Sequence, residues 1–175
     1  GEAEIEHLRS CDARLGRAIE HIGMLQVEMS PDLFPALVNS VVSQQISGKA
    51  AITVWNRVRG RFGEITPERL SSATLEDIQS CGMSFRKAGY VKDIAEACSH
   101  GDLDLAELKG IPDSQVVSRL TSLRGVGAWT AEMLLIFSLG RPDVLSWNDL
   151  AIRRGIMTLY GLDSLTRERF ETLRR

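Results

Sequence analysis

The chain has 175 residues and a mass of 19.4 kDa, with 43% hydrophobic and 25% charged residues, which fits one globular domain or two small lobes and argues against intrinsic disorder. Its net charge of −2 excludes a strongly basic coat that would hold nucleic acid by phosphate neutralisation alone. No apolar run approaches the roughly 18–20 residues of a bilayer span, and the acidic start Gly1-Glu2-Ala3-Glu4 lacks the basic-then-apolar order of a signal peptide, so an intracellular protein with no membrane partner is expected.

In chain order, charge is uneven: Gly1–Phe34 carries three Arg against seven Asp/Glu, whereas Arg141–Arg175 carries seven Arg against five acids. A polyanionic partner should therefore meet the C-terminal part. Between stops every 12 to 20 residues, apolar residues recur at helical spacing. Ser30-Pro31 is expected to start a helix, as cap and first-turn proline, whose inner stripe is Phe34, Leu37, Val38, Val41 and Val42. A second stripe, Ile46, Ala50, Val54 and Val58 to Phe62, ends at Gly63. Thr66-Pro67 opens a third helix, and Thr74-Leu75-Glu76-Asp77 resembles a capping box with Asp in place of the usual Glu. Ser84 caps a helix with inner face Val91, Ile94, Ala95 and Cys98, and Pro112-Asp113 starts another through Val116, Val117 and Leu120. A strongly apolar helix runs from about Ala128 to Leu139, a loop covers Arg141 to Asn148, and helices follow over Asp149–Tyr160 and from Thr166 to the end. Nothing alternates with period two, so an all-α fold is expected.

Three cysteines, Cys11, Cys81 and Cys98, contain no C-x-x-C pair, which argues against a disulfide framework, a zinc knuckle or a four-cysteine iron–sulfur cluster. Cys81 and Cys98 suit the role of small buried hydrophobes. His7, His21 and His100 match no metal-ligand spacing and are expected at the surface or at helix ends.

The most informative stretch is Leu123-Arg124-Gly125-Val126-Gly127-Ala128-Trp129-Thr130-Ala131, a tight turn with two glycines between helices. Such glycines let the backbone take positive φ and approach a partner without Cβ atoms in the way. The turn's outward amides, continued by the first turn of the next helix, would receive a phosphate; alone, G-x-G between helices is equally a plain tight connection.

Together with Asp143-Val144-Leu145-Ser146-Trp147-Asn148-Asp149-Leu150-Ala151-Ile152-Arg153-Arg154-Gly155, with Val41-Val42-Ser43-Gln44-Gln45-Ile46-Ser47 upstream, and with Arg86-Lys87-Ala88, this turn resembles the helix-hairpin-helix DNA glycosylase superfamily. The similarity spans roughly Phe34 to Gly161 and is strongest to the alkylated-base branch, typified by 3-methyladenine DNA glycosylase II. The resemblance implies a two-lobed helical fold with an active-site cleft between the lobes. Residues 1–34 and 141–175 would form the terminal-helix lobe, and 35–140 a six-helix lobe ending in the hairpin. Members continue after a helix like Thr166–Arg175 with a further, aromatic-containing helix bordering the base pocket; that final helix, and the N-terminal accessory domain of some members, are expected to be lacking here.

The same resemblance assigns roles. Gly125, Val126 and Gly127 would bind a DNA phosphate through backbone amides. The main-chain carbonyls of Thr121, Leu123 and Val126 would hold a monovalent cation, sodium or potassium; catalysis itself would need no cofactor. Gln45 would be the wedge that fills the stack when a nucleotide is turned out, or a polar cap on the break between two helices, and Gln44 beside it a DNA or backbone contact. Trp129 stands where lyase-type members carry a nucleophilic lysine; lacking an amine it can form no Schiff base, so hydrolysis is expected. It could stack on the extruded, cationic base, or plug the core. Asp149, 20 positions on, matches the catalytic aspartate, although an Asp at a helix start is also a common N-cap. Trp147 would border the base pocket or lie inside, Trp55 is expected in the core, and Asn148 stands where many members have a second Asp.

These roles imply a monofunctional glycosylase removing 3-methyladenine and 7-methylguanine from duplex DNA, monomeric, acting in the cytoplasm or nucleoid of a bacterium or the nucleus of a eukaryote. Two alternatives stay open: a noncatalytic helix-hairpin-helix DNA-binding module, and a lyase-type glycosylase for oxidised or mismatched bases, against which Trp129 and the absence of cluster cysteines argue.

Overall fold

The computed structural model describes residues 2–174, and every regular element among them is helical. In chain order these are α1 (Glu2–Cys11), α2 (Ala13–Ile22), α3 (Leu33–Ser43), α4 (Gly48–Phe62), α5 (Pro67–Ser72), α6 (Leu75–Gln79) and α7 (Phe85–Ser99), then a 3₁₀ turn at Glu107–Gly110, and α8 (Asp113–Thr121), α9 (Ala128–Phe137), α10 (Leu150–Tyr160) and α11 (Arg167–Arg174). The chain divides into two compact units. One is residues 29–144; the other joins the residues before 29 to those from 145 onward.

In the 29–144 unit, α3 is the central helix. Its face Phe34, Leu37, Val38, Val41 and Val42 is buried, and it packs against α4, α7 and α9. The caps follow the side-chain chemistry of the sequence. Thr66, Thr74 and Ser84 hydroxyls accept the amides of Arg69, Asp77 and Lys87, each satisfying a donor that the first helical turn leaves without an intrahelical partner. The start of α3 departs from expectation: the N-cap is Asp32, which makes no side-chain cap bond, while Ser30 donates its amide to Phe137 O at 2.8 Å. Ser30-Pro31 is thus an extended approach tied to the end of α9, not a cap and first turn. Ile46 lies outside α4 and is exposed. The apolar helix α9 stops at Phe137, two residues before the expected end. Cys81 is buried as expected, but Cys98 only partly.

The other unit contains two helices that the sequence reading passed over, α1 and α2; α2 carries Leu15, Ala18, Ile19 and Ile22 at helical spacing, yet neither helix buries a large apolar residue. Asp12 organises their junction: its Oδ1 accepts the amides of Arg14 and Leu15 at 2.7 and 2.9 Å, and its Oδ2 accepts the Tyr160 hydroxyl at 2.9 Å. Arg14 donates to Tyr160 O at 3.0 Å. These bonds fasten the start of α2 to the end of α10 across the length of the chain. Phe170 of α11 is the large side chain this unit buries fully, at 1% exposure.

Candidate nucleic-acid interface and catalytic residues

The hairpin is built from the end of α8. Leu123 donates to Leu120 O and Val126 to Leu123 O, both at 3.2 Å, closing two tight turns in succession. Val126 is 5% exposed and packs into the core of the 29–144 unit, so the tip is anchored by an apolar side chain between its two glycines. Gly125 has φ +84, and a Cβ there would lie 2.3 Å from the Tyr90 ring; both conformation and space demand glycine. Gly127 differs from expectation. Its φ is −94, open to any residue, and a Cβ would meet nothing within 4 Å. Nothing inside the chain requires a glycine there. Gly127 is the N-cap of the ten-residue α9 and offers no side chain to its first-turn amides, the arrangement that suits an anion.

Thr121 is the last residue of α8, at the negative end of the helix dipole, and Leu123 and Val126 follow it in the turn. Leu123 O already accepts one amide and retains a second lone pair. Among the described residues, no group of three or more His, Cys, Asp or Glu could hold a metal ion.

Gln44 and Gln45 follow α3 directly. Gln45 is exposed and has φ +56, the one positive φ of a non-glycine residue among those described, a conformation that costs about 1–3 kcal/mol and is kept where surrounding structure imposes it. Residues beside it are held by long-range bonds. Gln44 donates its side-chain amide to Gly125 O at 2.8 Å, so of its two expected roles it has the backbone contact, while Gln45 beside it is exposed. Lys87 donates its ammonium to Val42 O at 2.8 Å and also to Gln44 O. Burial, and secondarily the neighbouring Arg86, draw that ammonium below the ordinary lysine range. The sequence showed Lys87 only as part of a family block; a lysine between Ser84 and buried Ala88 was the available signal.

Trp129, on the first turn of α9, is 44% exposed, which removes the core-plug alternative. Trp55 is half-buried against the core, as expected in kind. It lines a cavity of about 710 Å³ in this unit with Arg59, Glu64 and Lys109, and no expected site residue lies there.

In the other unit, Asp149 is the N-cap of α10. Its Oδ1 accepts the amides of Ala151 and Ile152 at 2.8 and 3.1 Å, so the carboxylate is fixed in orientation with the positive helix end behind it. Asn148 beside it is exposed. Trp147 is half-buried, edge-on to Phe170 at 5.3 Å, with the guanidiniums of Arg153 and Arg167 over its ring at 5.1 and 5.8 Å. Neither arginine was given a role by the sequence, although Arg153 lies in the same block as Trp147.

A profile described as HhH-GPD superfamily base excision DNA repair protein matches residues 38–175. The chain is 36% identical over 173 residues to DNA-3-methyladenine glycosylase 1 of Schizosaccharomyces pombe, an alignment covering 94% of this chain and 75% of that protein. A crystal structure of a DNA-3-methyladenine glycosidase from Bacillus halodurans superposes with a TM-score of 0.83 at 40% identity, covering 90% of this chain and 74% of that one. The S. pombe 3-methyladenine DNA glycosylase Mag1 in complex with abasic DNA superposes with a TM-score of 0.79 at 32% identity, covering 95% and 84%. No helix among the described residues is long and apolar enough to cross a membrane.

Proposed function

We propose that this chain, which belongs to the HhH-GPD superfamily of base excision DNA repair proteins, is a monofunctional DNA glycosylase that hydrolyses the N-glycosidic bond of N-alkylated purines, 3-methyladenine and 7-methylguanine, in duplex DNA. Relatives at 36% and 34% identity carry the name DNA-3-methyladenine glycosylase, and a similar structure holds abasic DNA. The observation that carries the reading is Asp149: a carboxylate oriented by two amides at a helix start, in a chain whose lyase position is occupied by Trp129.

In this mechanism the turn at Gly125, Val126 and Gly127 grips a phosphate, and Gln45 enters the stack vacated by the extruded nucleotide, whose flipping costs a few kcal/mol. Trp129 stacks on the base, and the positive charge of an alkylated purine adds a cation–π attraction of about 0.5–2 kcal/mol. Trp147, two positions before Asp149, borders the base pocket. As the C1′–N bond breaks, its electron pair leaves with the already cationic base, which departs neutral without needing a proton. Positive charge builds on the sugar, and the Asp149 carboxylate stabilises it. Water then bonds to C1′ and gives up a proton, for which Asp149 is the acceptor. Hydrolysis of this bond calls for no catalytic cofactor; sodium or potassium held by Thr121, Leu123 and Val126 carbonyls would add positive charge near the phosphate. The protein acts as a monomer.

The test is single-turnover excision of 7-methylguanine. Asp149→Asn keeps the cap oxygen and removes the charge, so the rate should fall roughly 10²- to 10³-fold with the thermal midpoint and affinity for abasic DNA nearly unchanged. An unchanged rate would make Asp149 an N-cap only, and binding without any base release would favour the noncatalytic module. Borohydride should trap no protein–DNA adduct.

A further inference from the structure

The carbonyls at the end of a helix need partners, and α3 ends at Ser43, immediately before Gln44 and Gln45. One ammonium from another helix, Lys87 of α7, takes two of the oxygens there, Val42 O and Gln44 O. The chain then turns through Gln45 at φ +56 into Ser47, whose hydroxyl accepts the Ala50 amide and starts α4. From the same loop, the Gln44 side chain reaches Gly125 O at 2.8 Å, a contact across 81 positions of sequence. Gly125 in turn packs directly against the Tyr90 ring, which a Cβ there would meet at 2.3 Å. Three segments distant in sequence, the end of α3, the start of α7 and the hairpin, therefore meet at two residues that carry no chemistry of their own.

We propose that Lys87 and Gln44 are positioning residues for the wedge: Lys87 holds Gln45 in its left-handed backbone state, and Gln44 locks that loop to the hairpin. Gripping the phosphate and filling the base stack are then one rigid placement rather than two independent events. The inference rests on Gln45 being the wedge of the proposed glycosylase. A loop released from both ties would let Gln45 return to the extended or right-handed backbone that non-glycine residues prefer, carrying its amide away from the register set by the phosphate. The hairpin, anchored by Val126, would still bind.

The experiment uses a DNA duplex containing a tetrahydrofuran abasic-site analogue with 2-aminopurine opposite it, so that wedge insertion is read as a fluorescence rise independent of any base release. Gln44→Leu and Lys87→Met each should reduce that rise at saturating protein at least about threefold, while the melting transition stays cooperative. Single-turnover excision of 7-methylguanine from a duplex should slow by roughly 10- to 100-fold, the scale of a misplaced group. In the Gln45→Ala background neither substitution should cause any additional loss, because residues acting only through the wedge cannot matter once it is gone. Additive losses in that double-mutant cycle, or a full fluorescence rise in Gln44→Leu, would overturn the proposal. Should Lys87→Met fail to fold, Gln44→Leu decides alone, since it buries no charge. A wild-type fluorescence rise with no excision of any base would remove the glycosylase reading and leave the wedge linkage standing.

Discussion

A Cβ on Gly125 would sit 2.3 Å from Tyr90 Cδ2, whereas one on Gly127 would meet nothing, so two glycines of one motif answer to different forces. Gly125→Ala must strain a backbone at φ +84 and displace a ring that Arg124 covers from 5.7 Å; a loss of roughly 1–3 kcal/mol of stability is expected in urea unfolding. Gly127→Ala should change stability by about 1 kcal/mol or less. Its cost appears in DNA binding, and equally for damaged and undamaged duplexes, because a phosphate contact carries no base information. Loss confined to damaged DNA in a binding titration would show that Gly127 faces the base. The Gly125 defect was readable in part from the motif. The partner Tyr90 was not, since nothing in the chain order ties position 90 to position 125.

At the scale of elements, α2 and α10 are joined by Asp12, which caps one and accepts the hydroxyl of the last residue of the other. The Leu15 amide, followed by the Tyr160 hydroxyl, holds the Asp12 carboxyl below its ordinary range. A depressed carboxylate contributes stability that is present above the ordinary aspartate pKa and disappears as pH falls through the lower folded value. Asp12→Asn should therefore lower the thermal midpoint at pH 7 and lose that difference as the pH falls through the lowered folded value, where the native side chain is also neutral. An equal difference on both sides of that value in calorimetry would mean the charge is not what matters. Tyr160→Phe removes one of the three bonds and should cost less.

For the whole molecule, the three thiols report on the two units separately. Cys11 is exposed, in the unit formed by the chain ends, while Cys81 is buried and Cys98 half-buried in the 29–144 unit. Burial pushes the Cys98 thiol up to about 11, with Asp104 and Glu68 adding to the shift, and raises Cys81 as well. One thiol should therefore react rapidly with a disulfide reagent under native conditions, and the other two only on unfolding of their unit. Between the ordinary thiol value and about 11 the unfolded chain is ionised at Cys98 and the folded chain is not, so stability falls as pH rises through that window. Cys98→Ala should flatten the decline of the melting temperature above pH 9. Rapid labelling of two or three thiols at neutral pH would contradict the burial pattern.

What the sequence by itself determined is what is local. Helical periodicity places the core face of α3 and the inner face of α7, and Thr66, Thr74 and Ser84 act as caps because a hydroxyl reaches an amide three residues on. The hairpin motif and the Asp149 position are equally legible, since their geometry lies within a few consecutive residues. The start of α3 failed for the converse reason: Ser30 is claimed by Phe137 O, a partner 107 positions away, and a long-range bond outweighs a local signal. Only the tertiary structure decided that Gln44 is a clamp on Gly125, that Lys87 serves the end of α3, and that Trp147 packs edge-on to Phe170 with Arg153 and Arg167 over its ring. Each depends on which helices pack together, and a buried amide or ammonium takes whichever carbonyl that packing brings within reach.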